Sequence, residues 1–481
     1  MLTRRPAISL RQRPIDRHVD DNRPSSDRAG TGNPGNGKPL RGKRLAAGIL
    51  TTVVTRTIGV AVPLVLVPVS LSYLGVELYG LWMAIAALTA MAAFADLGLG
   101  NGLMTKLAPC YTNADTNTAR RYISNAYMTL TATAMVLCIF LWTASEFVSW
   151  ASLFNVSSTV AETDVRSLTL TCLTAFLINI PLSLVIRVQY AYQQVTQSNL
   201  WQAFGSLLTL LLTVVAVQAR LPPLVLVFAT LAGPLLSNMI NSLWFYIWQE
   251  PQLAPTLRHV DRLLALRLLR LSGLFFLLTI VMSMATNADT LLIAYTLGLP
   301  TVTAFAVPSR LFAQLGLLIS VINLPLWPAN AAALVRGDAQ WVRRITLRMT
   351  IISTTVAVSA CGLLVTLGDQ LLSAWLGNSL EADRWLLGGL AAWWTVLAAL
   401  SPCFMVQNAA GIVRPQLLGW LVYLIVSIPL KWFGAEHLGI AAVPFIGATT
   451  YALTVLPSAL YGYRKALSTT TLRNLSHERA P

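Results

Sequence analysis

Apolar runs about twenty residues long follow one another through almost the whole of this 481-residue chain. Runs of that length cross a ~30 Å hydrocarbon layer as helices. Only 11% of the residues are charged against 55% hydrophobic, and mean hydropathy is +0.63. A soluble domain carries about 25% charged residues. The chain therefore reads as an all-α polytopic membrane protein with little room for a soluble domain. Twelve spans are expected, at roughly 45–72, 78–99, 122–144, 167–190, 199–219, 223–248, 271–297, 301–327, 345–367, 385–408, 413–431 and 438–463.

Charge sets the orientation. With the N-terminus in the cytoplasm, twenty-eight Lys/Arg fall on the inner side and four (Arg166, Arg220, Arg384, Lys431) on the outer side. Cytoplasmic loops of membrane proteins carry this excess. One span more or fewer would spoil the alternation, so both termini are expected in the cytoplasm. Residues 1–44 hold eleven Lys/Arg and four Asp with Gly, Pro and Asn at the end. They read as a disordered basic tail that attracts anionic membrane lipids. The tail lacks aromatics, and nucleic acid is not the expected partner.

The chain repeats itself at an offset of 223 residues. Leu74-Gly75 falls on Leu297-Gly298, Asp115 on Asp338 and Arg120-Arg121 on Arg343-Arg344. An even number of spans separates the copies, so they share one orientation. This predicts two pseudo-symmetric six-helix lobes, 45–250 and 271–465. A basic segment at 251–270 joins them and reads as an amphipathic surface helix; residues 466–481 form a cytoplasmic C-terminal tail.

Charges inside spans are costly, about 2.5–3.5 kcal/mol at mid-depth on insertion scales, and mark function or pairing. Arg56 lies near the middle of span 1, on a stripe with Thr52, Gly59 and Pro63. Arg310 lies near the middle of span 8, with Gln314 one turn on, and Asp289 in the outer half of span 7. Asp289 could pair with Arg310 across neighbouring helices; Arg56 has no acid at its depth in span 1 or 2. Two central arginines imply a cavity that holds an anion, since the guanidinium fork grips phosphate oxygens and keeps its charge. The stretch FADLGLGNG (94–102) closes span 2. Asp96 with Gly98 and Gly100 there reads as a cytoplasmic gate or hinge, or as a plain helix end with an acid reaching to water. The four histidines lie in tails, linker and loop, and no phosphate-binding Gly-Lys loop or metal-spaced group is present. No enzyme, cofactor or metal site is expected.

The segment YLGVELYGLWMAIAALTAMAAFADLGLGNGLMTKLAPCYTNADTNTARRYIS (73–124) resembles the second-span region of the polysaccharide transporter family. These are O-antigen and exopolysaccharide repeat-unit flippases of the multidrug/oligosaccharidyl-lipid/polysaccharide exporter superfamily. NADTLLIAYTLG (287–298) and LGIAAVPFIGATTYAL (438–453) are similar to its seventh and last spans. The resemblance implies a V-shaped pair of lobes around a central cavity in the bacterial inner membrane. It implies a cargo of undecaprenyl-pyrophosphate-linked oligosaccharide moved from the inner to the outer leaflet, with polysaccharide polymerase machinery as a further partner. Arg56 and Arg310, with Gln314 beside the latter, would meet the pyrophosphate. Asp289 and Asp96 are candidates to couple transport to H+ or Na+. A cation-coupled multidrug extruder and a lipid II flippase of the same fold are the alternatives; the extruder would want central carboxylates.

Overall fold

A computed structural model describes residues 38–156, 161–323, 326–377 and 383–478. The described residues fall into two units, 38–49 and 50–478. The basic tail expected at 1–44 lies, up to residue 37, outside the described residues. The helices are α1 (Lys38–Met91), α2 (Leu99–Thr112), α3 (Thr116–Ala144), α4 (Trp150–Leu153), α5 (Glu162–Leu182), α6 (Leu184–Ala191), α7 (Val195–Gln218) and α8 (Pro223–Trp244). There follow α9 (Arg262–Leu297), α10 (Leu299–Asn323), α11 (Leu326–Val335), α12 (Ala339–Thr366), α13 (Gly368–Leu376), α14 (Arg384–Ala409), α15 (Arg414–Leu438) and α16 (Ala442–Glu478).

Eleven stretches among the described residues are long and apolar enough to cross a membrane. The first, Thr57–Met91, has 35 residues. That is too many for one crossing, and Gly75 breaks it with φ 73° and ψ 174°. It therefore holds the first two of the twelve expected spans. Gly298, one repeat later, separates α9 from α10 with φ 83° and ψ 170°. The same sharp corner, open to glycine because it has no Cβ, stands at the same place in both halves.

The repeat extends to the next connection. Asp115 caps α3 by accepting the Thr118 N–H at 3.0 Å, and Asp338 caps α12 by accepting the Trp341 N–H at 2.9 Å. The residues before them, Ala114 and Gly337, have φ 53° and 78°. The Asp115 N–H donates to Cys110 O and the Asp338 N–H to Ala333 O, positions again 223 apart. A capping carboxylate satisfies one of the orphan N–H groups of a helix start, which is why the registered aspartates carry the repeat signal.

Two expectations change. Residues 251–270 are not a separate amphipathic helix. Pro251 and Pro255 interrupt the chain, leaving short 3-10 turns at Pro251–Leu253 and Leu257–His259. Asp261 then caps α9 through the Leu263 N–H, and α9 runs unbroken into span 7 for 36 residues. The C-terminal tail expected from 466 also continues α16 to Glu478. The linker is held by the start of α3. Arg120 Nε donates to Ala254 O at 2.9 Å, and Arg121 pairs with Asp261 at 3.3 Å. Asn125 accepts the Asp261 N–H and donates to His259 O. The repeated pair Arg343-Arg344 is exposed.

The core shows how the halves meet. At the end of the molecule away from the linker, one cluster of buried residues draws on both, from Val67, Tyr79 and Val165 to Ile293, Val302 and Leu386. Toward the linker the clusters separate. One spans Ala95 to Leu253, the other Leu278 to Ala459. At the linker-distal end the second and eighth spans cross in contact. Thr303 Oγ1 donates to Val76 O at 2.6 Å. A Cβ on Gly80 would stand 2.1 Å from Leu299 O. Residues 76 and 80 are the repeat equivalents of 299 and 303, so the crossing is itself two-fold. Pro68 has no N–H to give Leu64 O, and the Trp375 indole of α13 supplies one at 3.0 Å.

The Trp375 bond gives a test. Trp375→Phe keeps an aromatic ring, loses the indole N–H and strands the Leu64 carbonyl, at a cost of about 1–3 kcal/mol to the closed distal end. Thiol labelling of Val69→Cys, in the groove beside Trp375, is expected to become faster in the Trp375→Phe background. An unchanged rate would show that the bond does not hold this end shut.

Candidate functional site

Between the halves, a cavity of about 380 Å³ lies on the linker side of the shared core. Met83, Ala86 and Ala87 of span 2 form one wall. The other is built from α9, α10 and α14 and carries Asp289, Arg310 and Trp393. Small residues on the span 2 wall leave this space; the polar groups come almost wholly from the second half.

Arg310 projects from α10 two residues after Pro308, whose missing N–H removes one rung of that helix. Its guanidinium Nη2 lies 3.1 Å from Met83 Sδ across the cavity. A thioether is a weak acceptor, so among the described residues most of the fork's hydrogen-bonding capacity is uncommitted. The ion pairs among the described residues are Arg121–Asp261, Arg166–Glu146, Arg384–Asp369 and Lys431–Asp289; Arg310 belongs to none. Gln314 stands one turn on, donating its amide to Arg310 O at 3.2 Å. Its Oε1 is buried without a donor among the described residues, and it does not line the cavity.

Asp289 pairs with Lys431 and not with Arg310. Lys431 Nζ lies 2.6 Å from Asp289 Oδ1 and donates to Tyr423 Oη at 2.9 Å. The ammonium also stands over the rings of Trp393 and Tyr423, at 5.6 and 5.3 Å from their centroids. Trp420 and Tyr451 complete an edge-to-face aromatic cluster with them. Gly447 of α16 permits this; a Cβ there would stand 3.1 Å from Lys431 Cε. The Lys431 side chain is 1% exposed and that of Asp289 17%. The lysine is sealed in the second half while the carboxylate reaches the cavity.

Sequence reasoning placed Lys431 in an outer segment. It lies inside α15, on a stripe with Tyr423, Ser427 and Ala435, all buried. That four-residue spacing of polar and small positions was the available signal. Arg56 falls within α1, but its side chain lies outside the described residues.

Asp96, Gly98 and Gly100 are not at the cavity. The second span ends at Met91, a 3-10 turn covers Ala92–Asp96, and Leu97 and Gly98 follow with φ 52° and 65°. The chain then resumes as α2. Arg187 packs against this turn, its Nε 3.1 Å from where a Cβ on Gly100 would be, and faces the Asp96 carboxylate. The broken helix expected from FADLGLGNG is present, with the Arg187 side chain of α6 packed against it. Nearby, Ser283 of α9 donates to Ala90 O at 2.6 Å, so spans 2 and 7 stay joined beside the cavity.

Asp289→Ala would leave the Lys431 ammonium buried without its carboxylate. Breaking such a pair costs about 3–5 kcal/mol. A lower thermal midpoint in detergent is expected for Asp289→Ala, with recovery when Lys431→Met is added.

Residues 74–382, well over half of the chain, match a family model described as "Polysaccharide biosynthesis protein". No curated protein sequence matches this one. Solved structures share the fold. An inward-facing multidrug resistance MATE family transporter of the MOP superfamily is 16% identical with a TM-score of 0.68, over 87% of this chain and 95% of that one. An outward-facing form, also 16% identical, gives 0.59 over 90% and 97%. The lipid II flippase MurJ in an inward closed conformation is 13% identical with a TM-score of 0.65, over 89% and 91%.

Proposed function

The chain belongs to the family of polysaccharide biosynthesis proteins, and from that premise we propose that it flips undecaprenyl-pyrophosphate-linked oligosaccharide from the cytoplasmic to the periplasmic leaflet of a bacterial inner membrane. Family and fold together support a multi-pass membrane flippase or exporter. The observation that carries the finer reading is Arg310, a cation in a cavity between the halves that has no carboxylate partner among the described residues. Sugar and pyrophosphate cannot enter hydrocarbon unaided, because each unsatisfied polar group there costs several kcal/mol. A wet cavity with one uncompensated guanidinium lowers that barrier for a pyrophosphate. The isoprenoid chain stays in lipid.

The termini and the linker then face the cytoplasm, and the crossing at Gly80 and Thr303 is the periplasmic closure. In this reading the joined end makes the described state one closed to the periplasm. Loss of the Thr303 and Trp375 bonds would release that end while the linker-side ends approach, and the turn at Asp96–Gly98 is the hinge on the cytoplasmic side. Arg56 of span 1 is a second pyrophosphate ligand in this scheme. Net direction comes from a coupled H+ or Na+, or from consumption of the cargo by a polymerase outside.

The test is made in the host. Deletion of the gene is expected to raise undecaprenyl-pyrophosphate-linked oligosaccharide in lipid extracts and to abolish surface polymer. Wild type restores both, whereas Arg310→Ala and Arg56→Ala, at normal abundance, restore neither. Arg56→Lys is expected to be partly active, because an ammonium keeps the charge and loses the bidentate grip. Unchanged lipid intermediates with new sensitivity to cationic drugs would replace this reading with a multidrug extruder.

A further inference from the structure

A carboxylate in the wall of an anion-binding cavity works against the cation beside it. Asp289 and Arg310 line the same space. In low dielectric an unneutralised Asp289 would compete with any incoming anion for Arg310 and cancel most of the field it needs. Lys431 prevents this. It holds Asp289 Oδ1 at 2.6 Å from the side away from the cavity, and Tyr423 and Trp393 fix its ammonium. We infer that Lys431 is a selectivity-determining positioning residue: by neutralising Asp289 from behind, it leaves Arg310 as the uncompensated charge of the cavity and makes the site accept an anionic group.

The arrangement has a sign. With the pair intact, the described charges around the cavity sum to one positive. Without Lys431 they sum to zero, and without Asp289 to two positive. Lys431 is 1% exposed and does not line the cavity, so its effect is electrostatic and acts through Asp289. The inference rests on the pyrophosphate reading for its biological meaning. The potential itself exists with or without that cargo.

A cysteine at Ala313, a cavity-lining position one turn beyond Arg310 on α10, reports the local potential. The full-length chain bearing Ala313→Cys is reacted separately with a sulfonate and a trimethylammonium methanethiosulfonate. The reaction of the unsubstituted chain, with its own five cysteines, is subtracted. Relative to their rates with a free thiol in water, the sulfonate is expected to gain about fivefold over the ammonium, as focused fields in clefts produce. Asp289→Asn is expected to raise that preference, and Lys431→Met to remove it. Asp289→Asn with Lys431→Met removes no net charge and is expected to return the original preference. This double variant decides the matter even where Lys431→Met alone fails to fold. A double variant that behaves like Asp289→Asn would show that Lys431 contributes nothing to the cavity, and would overturn the inference. No cargo is needed for this measurement. Failure of the flippase reading would appear instead as unchanged lipid intermediates in the deletion strain.

Discussion

Hydrocarbon offers no hydrogen bonds, so every backbone group freed at a helix break must find a partner inside the protein. Much of this architecture follows from where those partners are. Pro68 leaves Leu64 O without its helical donor, and Trp375 of the second half fills it. Thr303 reaches Val76 O just past the corner at Gly75, and Ser283 reaches Ala90 O just before span 2 breaks. In each case the side chain comes from one half and the carbonyl from the other. Irregular backbone, which a membrane normally penalises, is where the halves recognise each other.

Charge is handled with the same economy. The Lys431–Asp289 pair ties spans 7 and 11 together, and Gly447 and Trp393 bring in the twelfth and tenth. Buried ion pairs are weak evidence for stability, because desolvation offsets most of the Coulomb gain. Here the pair's position at the cavity wall gives it a second role, since it sets which charge the cavity shows. The first half uses neutral groups for the same purpose. Gln189 and Asn241 exchange two hydrogen bonds at 2.7 and 3.1 Å, and Asn238 donates to Asn179 at 2.9 Å. Polar glue of this kind replaces the hydrophobic drive that lipid removes.

The sequence made the spans, the repeat and the break after span 2 readable, because each rests on local chemistry. A capping aspartate or a left-handed glycine acts within a few residues of itself, so Asp115 with Asp338, and Gly75 with Gly298, announced their geometry. Arg310 was readable as a charge out of place. Lys431 was not, because it lies close to a span end, where a lysine ordinarily reaches for water. The direction of its burial depended on Asp289, 142 positions away. Partner choice is hidden for a general reason. Lipid-facing residues such as Phe140 and Ile425, 67% and 64% exposed, are as apolar as the core. Periodicity therefore separates inside from outside poorly. The linker misled for the opposite reason: its basic and apolar pattern is amphipathic, but two prolines and the Asp261 cap decide its path.

The unbroken length of α9 has a mechanical consequence. Thirty-six residues make a rod of about 54 Å. Its first turn is pinned to α3 through Asp261 and Arg121, its last turns are set in the shared core at Leu292 and Ile293, and between them it carries Thr286 to Thr290 past the cavity. A rod fixed at both ends and loaded in the middle has no soft mode of its own. The cavity-lining turn therefore moves only when the linker clamp or the shared core moves, and a shift at either end is passed along the helix to the cavity.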